Sequence, residues 1–540
     1  MESTMQEAPL TITALFRRGE AVFPDSEVIT FQGEGSRHTR FAEVAERVRR
    51  LAGALSTLGV RPGDRVGTLC WNTQEHVEAY FAVPCMGAVL HTLNLRLSPQ
   101  QLGFVINHAA DRVVIVDATL VPLLAALRPH LTTVEHVVVV GEADTSALGE
   151  VLRYEELLAS APGDFEFPEV DERSAASMCY TTGTTGDPKG VVYSHRSVYL
   201  HSFCVWASFR LDDTERVLVI VPQFHVNAWG VPYVAWMVGA DMLLPNRFMT
   251  PDLMCAFISA ERPTFTGGVP TIFTGMLAHV RASGADVSSL KRAVCGGSAV
   301  PASLIDAFRD ELGIKLIQAW GMTETSPIGT MAIPPKDTPP EKEMYYRSKT
   351  GRSVPGVELR VVDEDGGEVA RDGAAVGEIE VRGPWITGSY FRADAPEKFD
   401  NGWLRTGDVG TIDAKGFVQI TDRSKDVIKS GGEWISSVEL ENLLAGHPAV
   451  AEAAVVGVPD ERWQERPLAT IVLKPGATVE PAELRDFLDG KVAHWWLPER
   501  WAFLESLPKT SVGKQDKKVI RAMYAEGSIE VVDTGAASRS

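Results

Sequence analysis

The stretch Tyr180-Thr-Thr-Gly-Thr-Thr-Gly-Asp-Pro-Lys189-Gly190 combines hydroxyls, glycines and a single lysine, the ingredients of a loop that wraps phosphates. Gly183, Gly186 and Gly190 let the backbone take positive φ and bring N–H groups close to an anion. Thr181, Thr182, Thr184 and Thr185 can donate to phosphate oxygens, and Lys189 adds a mobile point charge. The spacing is not that of a P-loop, because Gly183 and Gly186 lie too close together and Lys189 precedes Gly190. Half of this motif would pass for a Gly/Thr surface turn. The whole stretch points instead to a nucleotide-using enzyme outside the P-loop class.

Around this loop, β-branched runs such as Val113–Val116, Val137–Val140 and Val217–Ile220 alternate with longer helical patterns, the signature of buried parallel strands in an α/β fold. Helices are predicted over Thr39–Leu58, stopped by Gly59, and over Ser303–Leu312, between Pro301 and Gly313. The most apolar region, Val217–Leu244, is interrupted by Gln223, His225, Asn227 and Asp241, so it reads as a buried strand followed by a core helix rather than a membrane span. After about residue 355 short strands with acidic turns, Val357–Gly366 and Val376–Val381, predict antiparallel hairpins. From Ser437 helix and strand alternate again: Val438–Ala445 helical, Val450–Val456 and Leu468–Leu473 extended, Pro481–Val492 helical.

The expected organisation is a large N-terminal domain of layered α/β subdomains over 1–422 with a β-subdomain at about 350–422. A hinge at 423–426, a small mobile α+β domain over 427–526 and a flexible tail over 527–540 follow. With 540 residues, 45% hydrophobic and 23% charged, the chain has the composition of an ordinary soluble protein of several domains. A net charge of −19 disfavours nucleic acid and anionic membrane partners. Six scattered cysteines with no Cys-x-x-Cys pair, and an acidic polar start, fit a reducing cytoplasm without an export signal.

Two further clusters carry chemistry. In Gln318-Ala-Trp-Gly-Met-Thr-Glu-Thr-Ser326 an aromatic face can stack on a base and a carboxylate can hold Mg²⁺. In Trp403-Leu-Arg-Thr-Gly-Asp408 a lone carboxylate after a tight turn can accept from both ribose hydroxyls. Each alone has an ordinary structural explanation, since Asp-terminated turns and strand-end threonines are common. Together and in order, with Phe224-His225, Gly296-Gly297-Ser298, Asp422-Arg423 and Pro508-Lys-Thr-Ser-Val-Gly-Lys514, they resemble the acyl-adenylate-forming superfamily from about Leu10 to Lys518. That superfamily includes acyl-CoA synthetases, luciferases and the adenylation domains of peptide synthetases.

The resemblance implies a two-step reaction. A carboxylate attacks the α-phosphorus of ATP to give acyl-AMP and diphosphate, and a thiol then displaces AMP. It also implies roles for individual residues. Thr181, Thr182, Gly183, Thr184, Thr185 and Lys189 would wrap the phosphates, and Thr181 and Glu324 would hold Mg²⁺. Thr323 would touch the α-phosphate, and Lys514 would bring charge to the transferring centre. Gly297, Ser298, Gln318, Ala319, Trp320 and Gly321 would frame the nucleotide, with Asp408 and Arg423 on the ribose. Lys425 would be the hinge residue, after which Lys429 and Trp434 would reach the nucleotide when the small domain rotates. His225 and Trp229 would border the acid, the first positioning its carboxylate and the second gating an acyl tunnel.

Two departures stand out. Trp320 replaces the usual tyrosine, keeping a stacking face and losing a hydroxyl, and Asp187 puts a negative charge in the phosphate loop that would oppose ATP unless it points outward, so a slightly altered nucleotide affinity is expected. Ser298 lacks the trailing glycine of a hydrolase elbow, which argues against a serine hydrolase. Phe224-His-Val-Asn-Ala-Trp229 has no aspartate to pair with an amino-acid ammonium. It most resembles medium- and long-chain fatty acyl-CoA ligases and those for 3-(methylthio)propionate. The reading is therefore an ATP-dependent ligase of CoA with a fatty or other apolar carboxylic acid, as a possible homodimer. The alternatives are an adenylating enzyme that loads a carrier protein or activates an oxyanion such as nitrite, and a non-catalytic binder of apolar ligands. Lys189, Glu324, Asp408 and Lys514 are all present, which counts against the last.

Overall fold

The computed structural model describes residues 1, 3–181, 187–423, 426–430, 433–509 and 515–534, with backbone alone at 433 and 434. Two largely parallel sheets form the bulk of the chain. One has nine strands in the order Arg352–Ser353, Ile328–Met331, Lys315–Gly321, Arg292–Cys295, Phe265–Gly268, Arg216–Leu218, Asp241–Leu244, Glu27–Phe31 and Ser36–Arg40. The other has seven: Leu152–Arg153, His136–Val140, Asp111–Asp117, Arg65–Leu69, Val89–Thr92, Ala175–Thr181 and Lys189–Ser194.

Strand alternation divides the apolar side chains between faces. In Asp111–Asp117, Val113 and Ile115 enter the core shared by both sheets, whereas Val114 and Val116 face the helices Pro99–Ala109 and Val121–Leu127 outside. The outer face of the nine-stranded sheet is covered by Pro251–Glu261, Pro270–Ser283 and Ala302–Asp310. Between the sheets lie Ile12–Val22, Phe41–Thr57, Gln74–Cys85 and Val231–Val238, giving five layers, αβαβα. Gln74–Cys85 is buried along its whole length, as a helix between two sheets must be. Trp236 anchors this middle layer. Its ring stacks on Phe41 at 4.2 Å and on Phe16 at 5.6 Å, and its indole N–H donates to the Phe16 carbonyl at 2.9 Å. A Cβ at Gly19 would stand 2.2 Å from that ring, so glycine is what admits it.

Beyond these layers, Glu358–Val362 and Val376–Arg382 form the expected antiparallel pair within a five-stranded sheet that also holds Phe399–Asp400, Trp403–Ile412 and Val418–Arg423. The chain enters a last, six-stranded sheet at Ile428–Ser430. Where the two sheets adjoin, Asp422 Oδ2 accepts from the Ser437 N–H at 2.7 Å and from its hydroxyl at 2.5 Å. Lys517, 12% exposed at its side chain, donates to Ser437 Oγ at 2.5 Å and pairs with Glu441 at 2.8 Å. Burial works against the Lys517 charge, but the Glu441 and Asp422 carboxylates outweigh it and raise its pKa.

Several boundaries differ from the expectations. Arg40 ends a strand, so the first long helix begins at Phe41 and closes at Thr57 before Gly59. Pro481–Leu488 is shorter than predicted because Asp489 is extended and Gly490 turns back with φ of 72°. Residues 527–534 are held rather than loose: Val532–Asp533 pairs with Arg500 and Trp501, and the Thr534 N–H donates to the Glu499 carbonyl. Residues 535–540 of that predicted tail lie outside the described residues. The apolar stretch 217–244 is a strand, a left-handed turn, the helix Val231–Val238 and a second strand. No helix among the described residues is long and apolar enough to cross a membrane.

Trp236→Ala should lower the urea midpoint of the large domain, costing about 3–5 kcal/mol. Gly19→Ala should also destabilise it by driving a methyl group into the same ring, as followed by circular dichroism and tryptophan fluorescence.

Candidate active site

The site motifs collect where the parallel strands of the nine-stranded sheet end at their C-termini, the usual location of ligands in open α/β sheets. Phe265–Gly268, Arg292–Cys295 and Lys315–Gly321 run side by side and deliver Gly268, then Gly296 and Gly297, then Gln318 to Gly321 to one edge. Gly297 has φ of 85°, and Ser298 beside it is exposed. Backbone crowding makes glycine necessary twice. A Cβ at Gly321 would lie 1.5 Å from the Pro327 carbonyl oxygen, and one at Gly329 would lie 2.5 Å from the Trp320 ring. Gln318 is buried and its Oε1 has no hydrogen bond among the described residues.

Trp320 does more than present a face. Its indole N–H donates to Asp408 Oδ2 at 2.8 Å, while Arg423 Nε pairs with Asp408 Oδ1 at 3.0 Å. The Asp408 charge is the main cause of a raised Arg423 pKa. The carboxylate sits 3% exposed after a turn at Gly407, whose φ is 73°. A ring-for-ring replacement of tyrosine thus moves a hydrogen bond onto the aspartate. Ala319 is half-buried, paired with Met331, and its carbonyl passes so close to Gly296 that a side chain there would meet it at 2.8 Å.

On the other sheet Thr181 pairs with Lys189 across the mouth of the glycine–threonine loop. Thr182, Gly183, Thr184 and Thr185 lie outside the described residues, as do Lys425 and Lys514. Asp187 is exposed. Tyr180 anchors one stem, its hydroxyl 2.7 Å from His108 Nδ1. The other stem is joined to the segment after Gly388 by the Phe391 N–H donating to the Gly190 carbonyl at 2.8 Å. This contact places Tyr390 between two predicted residues: Lys189 Nζ is 5.0 Å from its ring centre, and its hydroxyl donates to Glu324 Oε1 at 2.7 Å. Burial and the Glu324 carboxylate raise the Tyr390 pKa, so it remains a donor. Sequence reasoning missed Tyr390; its only local signal is the Gly388-Ser-Tyr-Phe391 turn.

Glu324 is buried, and its Oε2 takes no hydrogen bond among the described residues. No group of three or more His, Cys, Asp or Glu side chains that could enclose a metal occurs among them. One carboxylate with an oxygen to spare suits Mg²⁺ held mainly by substrate phosphates rather than by a protein cage. The Thr323 carbonyl accepts from the Tyr193 hydroxyl at 2.8 Å, fixing the turn that carries Glu324.

His225, half-buried, precedes an unusual bend. Val226, Asn227, Ala228, Trp229 and Gly230 all have positive φ, from 46° to 73°. Such a turn is strained for L-residues, and for a β-branched valine above all. Asn227 holds it: its amide donates to Ser177 Oγ at 2.7 Å, and its Oδ1 accepts from Cys179 Sγ at 3.3 Å. The bend lays the Trp229 ring over two glycines, 3.6 Å from a Cβ position at Gly267 and 3.5 Å from one at Gly296.

Lys429 and Trp434 face each other as paired residues of the hairpin at the start of the last sheet. Lys429 is exposed, and its N–H donates to Glu465. Among the described contacts nothing joins Lys429 to the Trp320–Asp408 cluster.

The sequence pattern of the AMP-binding enzyme family matches residues 16–391, and that of the AMP-binding enzyme C-terminal domain matches residues 439–514. The chain belongs to this family, on its acyl-CoA synthetase branch. It is 44% identical over 539 residues to the 3-methylmercaptopropionyl-CoA ligase of Ruegeria pomeroyi, covering 97% of this chain and 99% of that one. It is 45% identical over 532 residues to the long-chain-fatty-acid–CoA ligase of Thermus thermophilus, covering 97% of each. Among solved structures, the anthranilate CoA ligase AuaEII in complex with anthranoyl-AMP superposes with a TM-score of 0.87 at 29% identity, covering 97% of this chain and 100% of that one.

Trp320→Phe keeps the ring and removes the N–H that reaches Asp408. It should raise the KM for ATP about tenfold, the loss of one charge-assisted hydrogen bond, with little effect on the KM for the acid. Steady-state diphosphate release checks this.

Proposed function

We propose that this site joins an apolar carboxylic acid to CoA at the expense of ATP, with the residues below in the stated roles. The chain is an AMP-forming acid–CoA ligase. The observation that carries the assignment of roles is the Asp408 carboxylate, held between Trp320 and Arg423 at the edge where Gln318–Gly321 emerge. There the ribose hydroxyls can donate to both carboxylate oxygens, and the purine fits against Gln318, Ala319, Trp320 and Gly321, with Gly297 and Ser298 opposite.

Carboxylate and triphosphate repel each other, so the site must neutralise charge before an in-line attack. Lys189 and the threonines and glycines from Thr181 to Thr185 take the β- and γ-phosphates, and Thr323 takes the α-phosphate. Bound at Thr181 and Glu324, Mg²⁺ would add charge neutralisation of the phosphates. Tyr390, donating to one oxygen of Glu324 while Lys189 lies over its ring, fixes the spacing of these opposite charges. Lys514 stabilises charge developing on the transferring phosphorus. His225 orients the acid's carboxylate, and Trp229 closes the tunnel behind it.

After acyl-AMP forms, rotation about Lys425 withdraws Lys514 and brings in Lys429 and Trp434, and the thiol of CoA attacks the acyl carbon. The absence of an aspartate from Phe224–Trp229 disfavours amino acids. The likeness to 3-methylmercaptopropionyl-CoA and fatty-acid–CoA ligases favours apolar chains, the first of these relatives taking an acid with a short thioether tail.

With ATP, Mg²⁺ and a panel of straight-chain, methylthio and aromatic acids, the enzyme should release diphosphate in an acid-dependent way and yield acyl-CoA by mass when CoA is supplied. Diphosphate without thioester would move the assignment to carrier-protein loading. Lys514→Ala should abolish adenylation while retaining thioester formation from supplied acyl-AMP.

A further inference from the structure

The turn that joins His225 to Trp229 is tied to the strand from which the glycine–threonine loop departs. Alternation along Ala175–Thr181 sends Ser177, Cys179 and Thr181 to one face and Met178 and Tyr180 to the other, Cys179 entering the core between the sheets and Met178 and Tyr180 the outer one. Asn227 reaches the first of these faces. Its amide donates to Ser177 Oγ at 2.7 Å, and its Oδ1 accepts from Cys179 Sγ at 3.3 Å and from Thr92 Oγ1 at 3.4 Å. All four side chains are buried. Cys179 stands about 7 Å along the strand from Thr181, so the anchor of the turn and the start of the phosphate loop share one face, two residues apart.

Left-handed backbone is costly for L-residues other than glycine and asparagine, yet Val226, Ala228 and Trp229 adopt it here. The hydrogen bonds inside the turn, from the Ala228 N–H to the His225 carbonyl at 3.1 Å and from the Gly230 N–H to the Asn227 carbonyl at 2.9 Å, are local and fix no position relative to the other sheet. The strand, by contrast, is paired on both edges, to Val89–Thr92 and to Lys189–Ser194, and needs no help from Asn227 to keep its place. We infer that Asn227 is a positioning residue for the acid: its grip on Ser177 and Cys179 holds His225 and Trp229 beside the face that carries Thr181, so that the acid's carboxylate is presented to the phosphates. This rests on the ligation reading above, which puts the acid at His225 and Trp229. The consequence is a one-sided loss. Releasing the turn lowers the fraction of enzyme ready for the acid, and the apparent affinity for the acid falls in proportion, while the phosphate loop and its strand stay where they were.

Steady-state diphosphate release by the full-length enzyme tests it, with 3-(methylthio)propionate and pentanoate as acids, in Asn227→Gly, Ser177→Ala and the double variant. Asn227→Gly accepts positive φ and removes the grip of the side chain. It should raise the KM for both acids about twentyfold, the worth of two neutral hydrogen bonds, and leave the KM for ATP within about twofold of the wild-type value. Ser177→Ala keeps the turn's own sequence; it should raise the acid KM about fivefold, and it carries the test if the glycine variant does not fold. Added to Asn227→Gly it should change nothing more, because the bond it removes is already gone. Acid KM values unchanged in Asn227→Gly, acid and ATP KM values rising together, or losses that multiply in the double variant would each overturn the inference and leave Asn227 as a support of the fold alone. A wild type that releases no acid-dependent diphosphate with any acid would refute the ligation reading itself, and this inference with it. Normal ligation by the wild type together with any of those three results would refute only the inference.

Discussion

One carboxylate ties together the parts of this molecule that must act in concert. Asp408 stands on the five-stranded sheet, receives the indole N–H of Trp320 from the nine-stranded sheet, and pairs with Arg423 on the last strand before the chain leaves for its C-terminal sheet. Being 3% exposed, it has exchanged water for these two partners and would be costly to leave without either. The layered sheets, the β-subdomain and the exit strand are thereby registered against each other at one point. In the proposed mechanism that point is where the nucleotide is held.

A second link has the same character. The phosphate-loop stem at Gly190 is bonded to Phe391, and Tyr390 next to it spans from Lys189 to Glu324. The Lys189 cation, which also lies 3.9 Å from Glu397, and the Glu324 carboxylate both contact this one side chain. An aromatic ring with a hydroxyl keeps them apart, satisfying the cation through its face and the anion through its edge. The site can therefore hold unlike charges in readiness, which is what electrostatic preorganisation requires.

What could be read in advance follows from how local each signal is. The alternation of β-branched runs with helical stretches fixed the α/β class, because strand and helix periods are properties of neighbouring residues. Tyr390 escaped notice because its partners, Glu324 and Lys189, are distant in sequence. The new role of Trp320 depends on Asp408, eighty-eight positions away. The left-handed turn ran against propensity: valine and alanine disfavour positive φ, and only Asn227 and Gly230 hint at it. It exists because Ser177 and Cys179, from another sheet, grip the Asn227 side chain. Lys517 belongs to a lysine-rich stretch, yet its side chain is only 12% exposed and lies among carboxylates that are distant in sequence.

That last feature bears on how the junction between the two sheets responds to its surroundings. Exposed ion pairs weaken as ionic strength rises, since mobile ions crowd around each partner. Asp422 and Ser437 are buried, and the side chains of Lys517 and Glu441 are only 12% and 15% exposed. Their grip on the small domain is accordingly set more by dehydration than by screening, so brine weakens the junction less than it weakens pairs such as Arg262 with Asp286 on the outer surface.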